Sequence, residues 1–436
     1  MDRETRALAE KHFRGLGARL PDGVCGPPGR VDFIEKPDAF SYADFFKGYL
    51  LPNVPCVFSS AFTEGWGSRK HWVTPDGKPD LDYLLRKRHG CTCCQLRSAG
   101  IQRQPQGAHA PQRVHQLLER VHPGKLFLSQ GLPLPQRLAP VQPMCGSLHR
   151  DTSVEDVYSL PVYFSSDWLN EYWDAINVDD YRFIYMGPTG TWSPFHADIF
   201  RSFSWSVNIC GRKKWLLFPP GQEEALRDCH GSLPYDVTSP TLLDVRLHPA
   251  CARCSPPLEV TQEAGEMLFV PSGWHHQVHN LEDTISINHN WVNGCNLAPM
   301  WHFLQQELHA VQREISEWRD AMPDWHHHCQ VWPGPEVIMK SCTGINYKEF
   351  YHFLKVIAER RILTLAKEMG AGTVGSVGDS RLGTQQAAFD VSRITEVLAS
   401  LVANRDFQRV DTSTFSLQPE ELLQQLEEVV TATAAL

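Results

Sequence analysis

Residues 193–198 read Ser-Pro-Phe-His-Ala-Asp, and residues 273–280 read Gly-Trp-His-His-Gln-Val-His-Asn. On an extended strand, positions i and i+2 share a face, so His196 and Asp198 point together. The second stretch follows the turn Pro271-Ser272-Gly273 and brings a histidine from a later strand. Two histidines and one carboxylate on one side of a metal leave open positions opposite, the facial arrangement of non-haem Fe(II) oxygenases. No cysteine belongs to the set, which disfavours a structural zinc site. Alone, His-x-Asp is a weak signal, and its bland reading is a loop histidine beside a capping aspartate. The distal histidine sharpens it.

Around these stretches the pattern is that of short strands separated by turn signals. Val157–Phe164, Tyr181–Gly187, Gly265–Pro271 and Thr284–Trp291 read as strands, the last alternating as a half-buried strand should. Val207–Cys210, Gly211 and Lys213–Phe218 read as strand, turn and strand, a hairpin. Many short strands predict a sandwich or jelly-roll barrel, a mainly β core. Nearer the N-terminus, Ser41 is an N-cap candidate for a helical stretch through Phe46, and Leu51–Phe58 reads as a turn followed by a buried strand. Beyond residue 296 the apolar period becomes that of helices, over Leu297–Trp318, Tyr347–Lys367, Gln386–Val402 and Pro419–Val430. Gly370–Gly383 reads as a flexible linker.

The run Gly211-Arg212-Lys213-Lys214-Trp215 places a basic residue seventeen positions after His196. An iron oxygenase that uses a keto acid needs a cation for the far carboxylate, and lysine supplies a compact charge with three donors. Lys213 and Lys214 must face opposite ways on a strand, so at most one enters the barrel. A solvated hairpin tip is the bland alternative.

Composition narrows the function classes. The chain has 436 residues, 42% hydrophobic and 21% charged, with 30 Gly and 31 Pro, which places it among globular proteins. No apolar run approaches the roughly 18 residues of a membrane span, and the charged start Met-Asp-Arg-Glu lacks the apolar core of a signal peptide. Thirteen cysteines without framework spacing read as reduced thiols of an intracellular, cytoplasmic protein. A net charge of −9 argues against a general nucleic-acid surface but leaves room for a basic protein partner.

Residues 87–152 differ from the rest. Between Lys87 and Arg150 one acid, Glu119, stands against nine Lys/Arg, nine Gln and seven Pro, and no period persists. The stretch reads as a poorly ordered Gln/Pro-rich insertion, divergent or translated out of frame. Its Cys91-Thr92-Cys93-Cys94 lacks the paired half a zinc site requires.

His-x-Asp, then Gly-x-Lys-basic-Trp-x-x-Phe-Pro, then Val-Pro-Ser-Gly-Trp-His-His, then a strand ending Asn-x-Asn-Trp, resembles the jumonji-C family of 2-oxoglutarate oxygenases. The resemblance implies a double-stranded β-helix of cupin-like form over residues 153–295, between an N-terminal segment (1–86) with the anomalous stretch (87–152) and a C-terminal helical region (296–436). It implies Fe(II) held by His196, Asp198 and His276, with His275 as a supporting neighbour. It implies 2-oxoglutarate held by Lys213, with Ser193 and Asn288 lining its pocket and Ser206 standing where some relatives carry Asn. Dioxygen is the oxidant. Within the family the likeness is to a branch of lysyl hydroxylases acting on a translation release factor, so the implied partner is that protein, with no nucleic acid or membrane. An N-methyl-lysine demethylase and a non-catalytic jelly-roll binding module are the alternatives.

Overall fold

The computed structural model describes residues 30–88, 144–147, 157–176, 181–314, 316, 338–370 and 383–433. They divide into two compact units. One carries the strands and closes at Asn296; the other carries the long helices that begin at Leu297.

The strands of the first unit are β1 (Asp32–Ile34), β2 (Cys56–Phe58), β3 (Met144–Ser147), β4 (Arg182–Gly187), β5 (Trp192–His196), β6 (Phe203–Cys210), β7 (Lys213–Phe218), β8 (Leu258–Gln262), β9 (Met267–Val270), β10 (His275–Asn280) and β11 (Thr284–Trp291). A seven-stranded sheet has the order β1-β2-β9-β6-β11-β4-β3, and a four-stranded sheet the order β5-β10-β7-β8. Apart from the parallel pair β1–β2, every pairing is antiparallel. Two such sheets with helices are the cupin-like jelly roll that the strand pattern predicts.

The expected hairpin at Gly211 is instead a corner. β6 and β7 belong to different sheets and do not pair. A Gly turn between two strands signals a reversal locally, but which sheet receives the second strand is decided by long-range pairing. At the corner Gly211 has φ 75°, and a Cβ there would stand 2.2 Å from the carbonyl oxygen of Asp283. The Asn208 side chain donates to the Gly211 carbonyl at 2.7 Å, fixing the bend.

Val157–Phe164 is not a strand either. It runs irregularly into a 3₁₀ turn over Val162–Phe164. Pro161 precedes that turn and removes a ladder donor, and the segment instead delivers Tyr163 and Phe164 to the core. Phe164 stacks on Trp205 at 5.6 Å and meets Trp291 at 5.0 Å, while the Tyr163 hydroxyl donates to the Phe40 carbonyl at 2.7 Å. Nearby, Ser41 and Asp44 form a reciprocal capping box on the short helix Tyr42–Phe45, whose Phe45 packs on Phe269 at 5.1 Å.

These aromatics cover the outer face of the large sheet, where Trp205 pairs with His289 and Phe203 with Trp291 across β6 and β11. Thus β11, expected half-buried, is buried on both sides but for Asn288. Its Ile285, Ile287 and Trp291 face this aromatic layer. Its Ser286, Asn288 and Asn290 face the lumen between the sheets, opposite Asn208, Ser206 and Ser204 of β6. The rest of the lumen is apolar: Val57, Trp215, Leu217, Leu258, Val260, Leu268, Val270 and Trp274 form one cluster. Between β7 and β8 the chain makes a long excursion. It backs the small sheet from outside, packing Leu226 on Phe195, Leu216 and Phe218.

The second unit contains helices Leu297–Glu314, Tyr347–Gly370, Thr384–Val402 and Pro419–Thr433. Inside it, Arg361 donates to Asp390 at 2.8 Å in a buried pair. Among the described residues no helix is long and apolar enough to cross a membrane, and Cys56, Cys210, Cys229, Cys251, Cys254 and Cys295 are free thiols. Most of the 87–152 stretch and the 370–383 linker lie outside the described residues, and so do the questions of their order. The exceptions in the former are the end of the helix Leu81–Arg88 and β3, which pairs with β4.

Gly211→Ala forces an L side chain into left-handed backbone and against a main-chain oxygen that cannot swing away. The expected cost is about 2–4 kcal/mol of unfolding free energy, read as a lowered urea midpoint.

Candidate metal centre in the barrel lumen

β5 and β10 are neighbours, and His196 lies directly opposite His276. Their ring centroids are 4.4 Å apart. Asp198 lies just past the end of β5, in backbone that is still extended (φ −60°, ψ 153°), so the i, i+2 relation survives the end of the strand. The potential ligand atoms of His196, Asp198 and His276 all lie within 4.8 Å of one another, and this is the only such group of three among the described residues.

Each imidazole is oriented by its own strand. His196 Nδ1 is 2.6 Å from the Pro194 carbonyl, and His276 Nδ1 is 3.1 Å from the Trp274 carbonyl. A carbonyl only accepts, so the proton of each ring is on Nδ1 and the Nε2 lone pair is left for a ligand. Burial, and then the neighbouring His276, push the His196 pKa down to about 4, so that ring is neutral near pH 7. Asp198 Oδ2 accepts from Ser204 Oγ at 2.6 Å. Two imidazole nitrogens and one carboxylate oxygen, without a thiolate, suit Fe(II).

Register settles which histidine belongs to the group. His275 points to the opposite face, its ring 5.3 Å from Phe195 and its Nε2 3.2 Å from Arg201 Nη1. Burial and the Arg201 charge hold it well below the usual histidine range. Ser193 illustrates a subtler effect. It is three residues before His196, and strict alternation would turn it away. However, β10 advances two residues, His276 to Val278, while β5 retreats three, His196 to Ser193. The extra residue is a bulge at Pro194-Phe195, where proline has no N–H to offer the ladder. It returns Ser193 to the lumen side, opposite Val278.

Lys213 opens β7 and is 6% exposed. Its Nζ donates to Ser286 Oγ at 2.6 Å, and no carboxylate among the described residues pairs with it. Burial lowers its pKa to about 8. Lys214 faces the other way and pairs with Glu259 at 2.8 Å. Ser206 Oγ donates to Asn288 Oδ1 at 3.2 Å, both on the polar strip of the lumen. The structure adds three side chains not singled out from sequence: Ser204 on Asp198, Ser286 on Lys213, and Trp215, whose ring is 5.6 Å from that of His276. Parity carries a signal for two of them. Ser204 alternates with Ser206, and Ser286 with Asn288.

A jelly roll with a polar strip, a convergent His/Asp/His group and a buried lysine defines a class, and the comparisons agree with it. Residues 42–296 match the family model of the cupin-like domain. The chain belongs to that family, in its jumonji-C group of 2-oxoglutarate- and iron-dependent oxygenases. It is 65% identical over 438 residues to the human protein named 2-oxoglutarate and iron-dependent oxygenase JMJD4, covering all of both chains. The mouse protein of that name is 61% identical over 443 residues, again over the whole of both chains. The chicken protein of that name is 52% identical over 434 residues, 99% of each chain.

A buried ammonium with no carboxylate partner among the described residues destabilises the ligand-free fold. Its folded pKa of about 8 lies below the unfolded value of 10.5, so the unfolded chain binds more protons between those values and stability rises with pH there. Lys213→Met is expected to stabilise the ligand-free protein at pH 7 by on the order of 1–3 kcal/mol. That gain should shrink as pH rises from about 8 toward 10.5, as urea titrations across this window would show.

Proposed function

We propose that the protein is an Fe(II)- and 2-oxoglutarate-dependent lysyl hydroxylase acting on a translation release factor. The observation that carries the reading is the convergence of His196, Asp198 and His276 in a lumen that also contains a buried, acid-free lysine. The names of the full-length relatives support the cofactor pair. The lysine and release-factor assignment is supported by the motif resemblance to the lysyl hydroxylase branch, and a cytoplasmic place of action follows from that substrate.

When bound, the iron and 2-oxoglutarate activate dioxygen for C–H hydroxylation, with succinate and carbon dioxide as co-products. The chain's own residues supply the rest. His196, Asp198 and His276 would hold the metal. Lys213, its ammonium aimed by Ser286, would neutralise the distal carboxylate of the co-substrate. Ser193, Ser206 and Asn288 line the same pocket. The apolar cluster around Trp215 and Leu217 keeps water from the reacting centre.

With a release-factor domain as substrate, mass spectrometry should find one oxygen added to a lysine, matched by succinate release and no formaldehyde. Lys213→Ala should raise the 2-oxoglutarate requirement at least about tenfold, as the loss of a charged hydrogen bond implies, while metal affinity stays near wild type. Formaldehyde release from a methylated lysine peptide, with the release factor unmodified, would make the protein a demethylase. Absence of succinate under every condition would make it a binding module.

A further inference from the structure

Beyond the triad, the loop that carries Asp198 contains an unusual backbone feature. Phe200 and Arg201 are consecutive non-glycine residues with φ of 56° and 55°. L-residues avoid that region, and such a conformation persists only where the surroundings over-determine it. Phe200 is fully buried, its ring 5.7 Å from Tyr181. Arg201 is tied twice to the segment before His276. Its Nη1 donates to His275 Nε2 at 3.2 Å, and its carbonyl accepts from Ser272 Oγ at 2.5 Å. Because arginine only donates, the His275 proton lies on Nδ1, which faces Glu223 Oε2 at 3.7 Å.

The segment on the far side of this clasp is itself anchored. Asn53 Nδ2 donates to the Ser272 carbonyl at 2.9 Å, the Ser272 N–H donates to Asn53 Oδ1 at 2.8 Å, and Trp274 Nε1 donates to the Asn53 carbonyl at 2.9 Å. On the near side the Arg201 N–H donates to the Asp198 carbonyl at 3.1 Å. Arg201 therefore joins the loop of one proposed ligand, Asp198, to the turn that launches another, His276.

We propose that Arg201 is a positioning residue for the metal centre: through its left-handed backbone and its bond to His275 it fixes the Asp198 loop against the His276 strand. The inference rests on the reading of His196, Asp198 and His276 as metal ligands. Co(II) serves as the probe, since its visible absorption reports both affinity and ligand geometry. Arg201→Gly suits the positive φ and removes the guanidinium, and Arg201→Lys keeps the charge without the planar fork.

Arg201→Gly should keep a ligand-free melting temperature close to wild type. It should bind Co(II) about tenfold or more weakly, in line with supporting-shell losses elsewhere, with an altered absorption envelope. Arg201→Lys should fall between the two. Wild-type affinity and envelope in both variants would overturn the proposal, as would a lowered melting temperature with an unchanged envelope, which marks a merely structural role. His196→Ala separates the two levels of inference. If the wild-type chain binds Co(II) no better than His196→Ala, the triad reading itself fails.

Discussion

Everything in the barrel depends on one cross-strand pair, His196 facing His276 between β5 and β10. The pair places two imidazole ring centroids 4.4 Å apart. Each ring spends its Nδ1 proton on a carbonyl two residues back along its own chain. The strands thereby determine position, tautomer and aim together. A one-residue slip of β10 would replace His276 by His275, whose ring makes its contacts on the other face with Arg201 and Phe195. Because both faces of the small sheet are specified, register is strongly fixed.

The lumen accommodates this polar group because apolar burial is shared between the rest of the lumen and the outer face of the large sheet. In most two-sheet proteins the apolar faces meet between the sheets. Here the large sheet turns Ser204, Ser206, Ser286, Asn288 and Asn290 toward the lumen, and packs Trp205, Ile287 and Trp291 against aromatics from the N-terminal segment and from residues 158–164. Both sheets supply the apolar wall: Val57, Leu268 and Val270 from the large one, Trp215, Leu217, Leu258 and Val260 from the small one. The polar strip is thus free to bind while the rest of the wall keeps the cavity dry. Lys213 lies at the base of β7, beside the Gly211 corner between the sheets, which ties a backbone constraint to the placement of a charge.

The sequence is most legible where one strand carries its own evidence. His-x-Asp, the Gly turn before the distal histidines, and the opposed directions of Lys213 and Lys214 all follow from period-2 geometry. Continuous apolar runs mark β2 and β9 as strands, and the 3.6-residue period marks the long helices after residue 296, whereas β11, whose alternation reads as half-buried, is buried on both sides but for Asn288. Legibility ends where non-local pairing decides. The Gly211 turn carries the same local signal for a hairpin and for a corner between sheets. Strict alternation misplaces Ser193 because the bulge at Pro194-Phe195 reverses parity. The apolar density of Val157–Phe164 suggests a strand, but Pro161 and the need to cover Trp205 and Trp291 make it an irregular cover. Arg201 gives no sequence signal at all, since positive φ at arginine is set by its surroundings.

The central claim is that the lumen holds Fe(II) on His196, Asp198 and His276 with 2-oxoglutarate reaching Lys213. Its most direct measurement is the anaerobic charge-transfer absorption of the Fe(II)–keto-acid complex in the intact chain. The account predicts a band that needs both Fe(II) and 2-oxoglutarate, vanishes in Asp198→Ala, and in Lys213→Ala appears only at higher 2-oxoglutarate. A wild-type chain without the band, or a band of unchanged strength in Asp198→Ala, would contradict it.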